Sequence, residues 1–358
     1  MKKKCQGDTV KPWLLERSRK EWLHKMTKLT ILDIAERAGV SKSTVSLVLR
    51  GSNQIKAETK KRVLQVVQET GYVYNRHAAS MRSKKSKTIG YIVTDINSLY
   101  CAELLRGVES VLDSAGYSIL IASASNSPEK QERQLIAMLE YGVDGLLLAP
   151  SYGSTSGMLK DFQNMSIPCV LISRSIDGTE MDFVGTDNVF GVQQAMRHLY
   201  ERGSRKFGFI NYDLGSTTGD ERLQGYRMML ENYSLTYEES QVIHSSMTLD
   251  GGKAAMMELM QRDPDITGVI CYTDIIACGA ASGLKELGIP VGNGGVSIIG
   301  HDNVDIASYW NPRISTIATF PVETGKRAAN MLLQRIKGSD EPPQKILIQP
   351  KLIERESS

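Results

Sequence analysis

The sequence predicts an α/β protein: two doubly wound parallel-sheet subdomains preceded by a small all-α unit. Three observations carry this expectation. From Thr88 onward, short continuous apolar runs recur every 25 to 40 residues, with amphipathic stretches between them. Before Thr88 apolar residues fall instead at helical spacing. Charge divides at the same point: residues 1 to 87 hold 21 Lys+Arg and 7 Asp+Glu, a net of +14, and the remaining 271 hold 22 and 33, a net of −11. The total of +3 therefore conceals a basic arm on an acidic body. Such asymmetry points to nucleic acid or another anionic surface as partner of the basic part.

Residues 1 to 25 have no clear periodicity, and Met26 is an alternative start, so this stretch reads as a mis-assigned start or a disordered extension. The pattern sharpens at residues 30 to 51, T-I-L-D-I-A-E-R-A-G-V-S-K-S-T-V-S-L-V-L-R-G. Thr30 is an N-cap with Asp33 as its capping partner, and Ile31, Ile34, Ala35 and Ala38 line one helical face. Gly39 can take the left-handed conformation that ends the helix, and Ser41 can cap the next. In that second helix Val45, Val48 and Leu49 point inward, leaving Lys42, Ser43, Ser46, Leu47 and Arg50 outside. A helix-turn-helix needs this arrangement, because its second helix is held by the back face while the front enters the major groove. A third helix is expected from Ala57 to Thr70, closed by Gly71, which completes a DNA-binding headpiece over residues 26 to 72. Lys60, Lys61 and Arg62 lie on its outer side, for phosphate contact or for solvation.

Residues 73 to 87, V-Y-N-R-H-A-A-S-M-R-S-K-K-S-K, are polar and basic and cannot bury a core. A helix this short is marginal alone, so the segment is expected to be a hinge that folds on DNA, the plainer alternative being a flexible linker. The body, residues 88 to 358, carries apolar runs at 88 to 93, 117 to 122, 144 to 149, 168 to 172, 206 to 210, 267 to 272 and 296 to 300. Short apolar strands alternating with helices mean parallel sheets covered on both faces, with a ligand cleft beyond the strands' carboxyl ends.

These motifs resemble one family closely. I-L-D-I-A-E-R-A-G-V-S-K-S-T-V-S in the headpiece, G-Y-V-Y-N-R-H-A-A-S-M-R at the hinge and T-I-G-Y-I-V at the start of the body are similar to those of the LacI/GalR family of bacterial transcription regulators. So are E-R-L-Q-G-Y (221 to 226), Y-T-D-I-I-A-C-G-A (272 to 280), G-V-S-I-I-G-H-D-N (295 to 303) and I-S-T-I-A (314 to 318). S-T-V-S-L-V-L-R-G with N-R-H-A-A-S-M-R is most similar to the maltose-regulon repressor branch. The resemblance implies a type I periplasmic-binding-protein-like body, a homodimer on a pseudo-palindromic double-stranded DNA operator, and most often repression relieved or imposed by a small sugar-like effector. It implies Lys42, Ser43 and Leu47 as base-reading positions, with Ser41, Thr44 and Ser46 at phosphates or the cap. It implies Asn75, Ala78, Met81 and Arg82 at the hinge, where an apolar wedge enters the minor groove. In the body it implies effector contacts from Tyr100, Ser173, Arg222, Met247, Thr273 and Asp302, whereas Asp274 is expected to cap the helix after its strand. Leu47 stands where many relatives have arginine, and Ser173, Met247 and Thr273 replace a common aspartate, aromatic and asparagine.

Other function classes fit poorly. The five histidines (His24, His77, His198, His244, His301) show no H-E-x-x-H spacing, G-N-G-G (292 to 295) precedes a strand rather than a helix, and there is no G-x-S-x-G elbow. No enzymatic activity, metal or cofactor is expected. The five cysteines form no C-x-x-C pair, no apolar run reaches 18 residues, and the first 25 residues lack the apolar core of a signal peptide. A reduced, cytoplasmic protein is expected. A transport-type sugar-binding protein would share the body, but the basic headpiece argues against it.

Overall fold

The computed structural model describes residues 29–49, 52, 54–73, 85–176, 178–212 and 215–358. They fall into two compact units, one ending at Lys84 and the other spanning Lys85–Ser358.

The first unit contains α1 (Ile31–Ala38), α2 (Lys42–Leu49) and α3 (Ala57–Thr70). Thr30 and Asp33 form a reciprocal capping box, so two backbone N–H groups that open α1 are satisfied by side chains. Gly39 ends α1 with φ 60° and Gly71 ends α3 with φ 64°, in the left-handed region where a side chain is strained. Ile34, Ala35, Ala38, Val45, Val48 and Val63 are buried together, which fixes the back of α2 against α1 and α3. Leu49, expected inside, is half-buried at the edge of this core.

The second unit is two α/β halves. The chain first lays down β1 (Thr88–Val93), α4 (Leu99–Ser114), β2 (Ser118–Ser123), α5 (Pro128–Glu140), β3 (Gly145–Leu148), α6 (Lys160–Asn164), β4 (Cys169–Ile172) and β5 (Asp182–Thr186). It then crosses into the second half with α7 (Asn188–Glu201), β6 (Phe207–Tyr212), α8 (Thr217–Asn232), β7 (Val242–Ser245), α9 (Leu249–Arg262), β8 (Gly268–Cys271), α10 (Asp274–Glu286), β9 (Ser297–Asp302), α11 (Asp305–Tyr309) and β10 (Ser315–Ala318). It returns to the first half with α12 (Pro321–Ile336) and β11 (Lys345–Ile348), and ends in the second half with β12 (Lys351–Ile353). The sheet orders are β11-β5-β4-β3-β1-β2 and β12-β10-β9-β8-β6-β7. Within each sheet the strands run parallel, except that β12 pairs antiparallel with β10. Each of β3, β5, β6 and β8 is buried along its whole length, as expected of strands covered by helices on both faces.

Two glycines set how closely α4 and α12 can cross on one face of the first sheet. A Cβ on Gly107 would lie 2.1 Å from the Val322 carbonyl oxygen, and one on Gly325 2.2 Å from that of Leu104. Backbone atoms cannot rotate away, so any side chain here must push the helices apart. Gly107→Ala should therefore destabilise the body by about 2 kcal/mol despite alanine's better helix propensity, as a lower midpoint in urea unfolding. An unchanged midpoint would mean that the crossing is loose.

Candidate functional site

Two sites were expected, one in the headpiece and one in the body. In the headpiece, Ser41 precedes α2 and its hydroxyl accepts the Thr44 amide at 3.2 Å, while also bonding the hydroxyls of Ser43 (2.7 Å) and Thr44 (2.9 Å). Ser41 is thus the cap of this helix. Ser43 is exposed, whereas Lys42, Thr44, Ser46 and Leu47 are half-buried on the flanks of the same helix. Arg50 and the four hinge positions Asn75, Ala78, Met81 and Arg82 lie outside the described residues.

In the body, all six expected effector residues line a single cavity between the halves. Tyr100 comes from α4, Ser173 from the end of β4, Arg222 from α8, Met247 from the β7–α9 loop, Thr273 from the end of β8 and Asp302 from the end of β9. Parallel strands make this convergence possible, because every one of them delivers its following residue to the same edge of its sheet. The cavity measures about 50 Å³ and adjoins a void of about 170 Å³ that shares Tyr100, Met247, Thr273 and Asp302. A larger void of about 490 Å³ opens between the same halves beside Asp302, lined by Leu99, Glu103 and Arg106 on one side and Asn303, Val304 and Asp305 on the other.

Arg222 organises the floor. It is 5% exposed. Its Nε donates to Asn188 Oδ1 at 3.0 Å, one terminal amino group donates to the Tyr272 carbonyl, and the other lies 3.6 Å from Asp302 Oδ1. The guanidinium also covers the Tyr272 ring at 4.6 Å. Asn188 in turn donates to Glu221 Oε2 at 2.7 Å, so a chain of polar groups runs from α7 through α8 to β9. Burial pushes the Asp302 carboxyl up to about 6, against the pull of Arg222. Burial alone would raise the Tyr272 hydroxyl, but Arg174 and Arg222 beside it, with hydrogen bonds from Ser216 and Thr218, bring it below the usual tyrosine range.

One expectation needs correcting. Thr273, not Asp274, caps α10: its hydroxyl accepts the Ile276 amide at 3.4 Å. Asp274 is fully buried and accepts from the Val304 amide at 2.9 Å and the Thr316 hydroxyl at 2.5 Å, tying α10 to β10 and the loop after β9. Its carboxyl is too deep to serve the helix end, and burial holds it well above the usual carboxylate range.

Sequence reasoning passed over Arg174, Asn188, Thr218 and Tyr272, which also line the cavity. Position gave the one hint: Arg174 directly follows Ser173 at the end of a strand already singled out, though an arginine there reads as a solvated charge. Ser173 and Asp302 share a further mark, positive φ angles of 68° and 98°. Strain in non-glycine residues concentrates where a site requires it. Among the described residues no cluster could hold a metal ion, and no helix is long and apolar enough to cross a membrane.

The Asp302 carboxyl gives a pH test. Its folded value exceeds that of an unfolded aspartate, so folding is favoured by its proton below about pH 4 and loses that advantage as pH rises through about 6. Between pH 4 and 7 the parent should lose up to about 3 kcal/mol of stability relative to Asp302→Asn. Denaturant unfolding of both proteins across this range measures the difference, and parallel profiles would show that Asp302 ionises freely.

Two family models match this chain: "Bacterial regulatory proteins, lacI family" over residues 30–75 and "Periplasmic binding protein-like domain" over residues 196–358. The HTH-type transcriptional repressor PurR of Yersinia enterocolitica is 35% identical over 331 residues, covering 92% of this chain and 96% of that one. The HTH-type transcriptional regulator DegA of Bacillus subtilis is 31% identical over 92% of this chain and 98% of its own. Among solved structures, the transcriptional regulator CelR–cellobiose complex is 29% identical with a TM-score of 0.71, covering 92% of this chain and all of that one. The lac repressor dimer bound to operator and the anti-inducer ONPF has the same fold, with a TM-score of 0.81 at 22% identity over 92% of this chain and 98% of that one. With helix-turn-helix headpiece and two-halved body both in place, the chain belongs to the LacI family of bacterial regulatory proteins, DNA-binding transcriptional regulators with an effector-binding C-terminal domain.

Proposed function

We propose that this regulator is a cytoplasmic, dimeric repressor whose hold on a pseudo-palindromic operator is set by a sugar-like effector bound between the two halves of its body. The headpiece is residues 26 to 72, the hinge 73 to 87 and the body 88 to 358. Lys42, Ser43 and Leu47 read bases, with Leu47 against a thymine methyl rather than a guanine edge. Ser41, Thr44 and Ser46 serve the backbone phosphates, Ser41 through the helix end that it caps. At the hinge, Asn75, Ala78, Met81 and Arg82 enter the minor groove, with Met81 as the wedge. Tyr100, Ser173, Arg222, Met247, Thr273 and Asp302 hold the effector. The observation that carries this reading is the convergence of those six side chains, from both halves, on one cleft. Support for a saccharide comes from the CelR relative, whose solved structure is a complex with cellobiose. The maltose-regulon branch assignment rests on the headpiece and hinge stretches alone, is not supported by the relatives named above, and names no effector.

Selection of bound sequences from a random DNA pool tests the first half of the proposal. It should yield a near-palindrome occupied by two protomers, with a log–log salt slope on the order of −5 or steeper. Half-site binding by one protomer, or a shallow slope, would contradict it.

For the second half, a saccharide that raises the protein's melting temperature is titrated against operator complexes of the parent and Arg222→Lys. One ammonium cannot meet Asn188, the Tyr272 carbonyl and Asp302 together. The variant should lose at least about tenfold of the effector's influence on operator affinity. An unchanged response would make Arg222 a structural group only.

A further inference from the structure

Arg174 is the second buried arginine of the cleft. It is 6% exposed and lines the cavity from the first half, directly after Ser173. One of its amino groups donates to Asn126 Oδ1 at 2.6 Å and to the Pro150 carbonyl at 3.5 Å. Among the described residues no carboxylate pairs with it, and its Nε and second amino group have no hydrogen-bond acceptor. The other buried arginine of the cleft, Arg222, has Asp302, and Arg335 elsewhere has Asp182 at 2.6 Å. A buried guanidinium without a counter-charge is costly, and a ligand anion removes that cost.

The two halves make the contrast sharper. β4 and β9 hold equivalent places in the two sheet orders, third from the β11 end in one and third from the β12 end in the other. Each ends in a residue with positive φ that lines the cavity, Ser173 in the first half and Asp302 in the second. The first position is neutral and is followed by Arg174; the second is a carboxyl facing Arg222. Arg174 is the one charged group that the first half contributes to the cavity, since burial keeps the Cys101 thiol and the Tyr100 hydroxyl protonated. Asp95 and Asp274 line only the adjoining void, and Asp274 is occupied by Val304 and Thr316.

We propose that the effector is an anionic polyol, a sugar acid or a sugar phosphate, with its charged group on Arg174 and its hydroxyls toward Asp302 and Asn188. This rests on the reading of the cleft as the effector site and narrows its ligand class. Anion binding would also load the far end of Arg174: Asn126, which Arg174 holds, donates from Nδ2 to the Gly215 carbonyl in the second half at 3.2 Å. The charged group is therefore held by a residue already linked to closure of the halves.

The test uses the full-length protein at constant ionic strength. Glucose, gluconate and glucose 6-phosphate, ribose, ribonate and ribose 5-phosphate, and inorganic phosphate alone are compared by thermal shift and calorimetry. Parent protein should bind one of the anionic sugars at least about tenfold more tightly than its neutral counterpart, the gain expected of a charge-assisted contact. The carboxylate and phosphate members separate the two sources of charge. Arg174→Met should abolish the preference and Arg174→Lys retain part of it. Where Arg174→Met does not melt cooperatively, the parent's own preference and the lysine variant decide. Equal or tighter binding of the neutral member, absence of binding by every anion including phosphate, or an undiminished preference in Arg174→Met would overturn the proposal. A neutral sugar that shifts operator affinity would overturn the anion while sparing the effector cleft. An anion that binds through Arg174 without altering operator affinity would support the anion site and remove its role as effector.

Discussion

The body depends on one buried guanidinium. Arg222 takes a hydrogen-bond acceptor from Asn188, the first residue of α7, another from the backbone at Tyr272, just after β8, and faces the carboxyl of Asp302 at the end of β9. These groups come from three separated segments of the second half, and none would be tolerated here alone. Asp302 without Arg222 would be an unpaired buried acid, and Arg222 without its acceptors an uncompensated buried cation. Together they make a polar floor stiff enough to hold fixed donors and acceptors toward a ligand, at the edge where both sheets end. Preorganisation of this kind is what lets a small molecule gain specificity from few contacts.

The architecture was readable from the sequence because its main signal is local. The runs at 88–93, 144–149, 206–210 and 267–272 are continuous and apolar since β1, β3, β6 and β8 are central strands buried on both faces. β5 escaped notice, because D-F-V-G-T begins with a charged residue. The structure explains that charge: Asp182 is paired with Arg335 of α12 at 2.6 Å. β7 is four residues long and places His244 outward, while β11 alternates exposed and half-buried positions and β12 is only three residues long, both at sheet edges. Nor could spacing reveal that the chain returns to the first half after β10, since that choice is made by the packing of α12 on α4.

The candidate site was legible to the extent that it sits at strand ends. Ser173, Thr273 and Asp302 each lie within two residues of the end of a recognisable apolar run, and Arg222 lies in the distinctive E-R-L-Q-G-Y motif within α8. Tyr272 and Asn188 were hidden because their role comes from the second half's fold, which brings residues 84 positions apart within reach of one arginine. Arg174 was hidden for another reason. A lone arginine after a strand reads as a solvated surface charge, and only its 6% exposure and the absence of a partnering carboxylate among the described residues turn it into a ligand-facing group. Thr273 and Asp274 show the reverse, two adjacent polar residues whose cap and core roles no propensity argument can separate.

A cleft built from two halves can act as a switch because few groups tie its walls together. The halves are joined by three chain crossings, after β5, after β10 and between β11 and β12. Across the gap, Asn126 reaches the Gly215 carbonyl and Thr186 donates to the Thr319 carbonyl at 3.3 Å. Such bonds contribute about 1 kcal/mol each, so opening and closing differ by little and a ligand touching both walls can decide between them. A ligand held by one wall alone would bind without moving the other, since an equilibrium shifts only by the difference in affinity for its two states. That requirement is why the first half matters as much as Arg222. Effector control needs contacts on both sides, and Arg174 is the strongest group the first half has to offer.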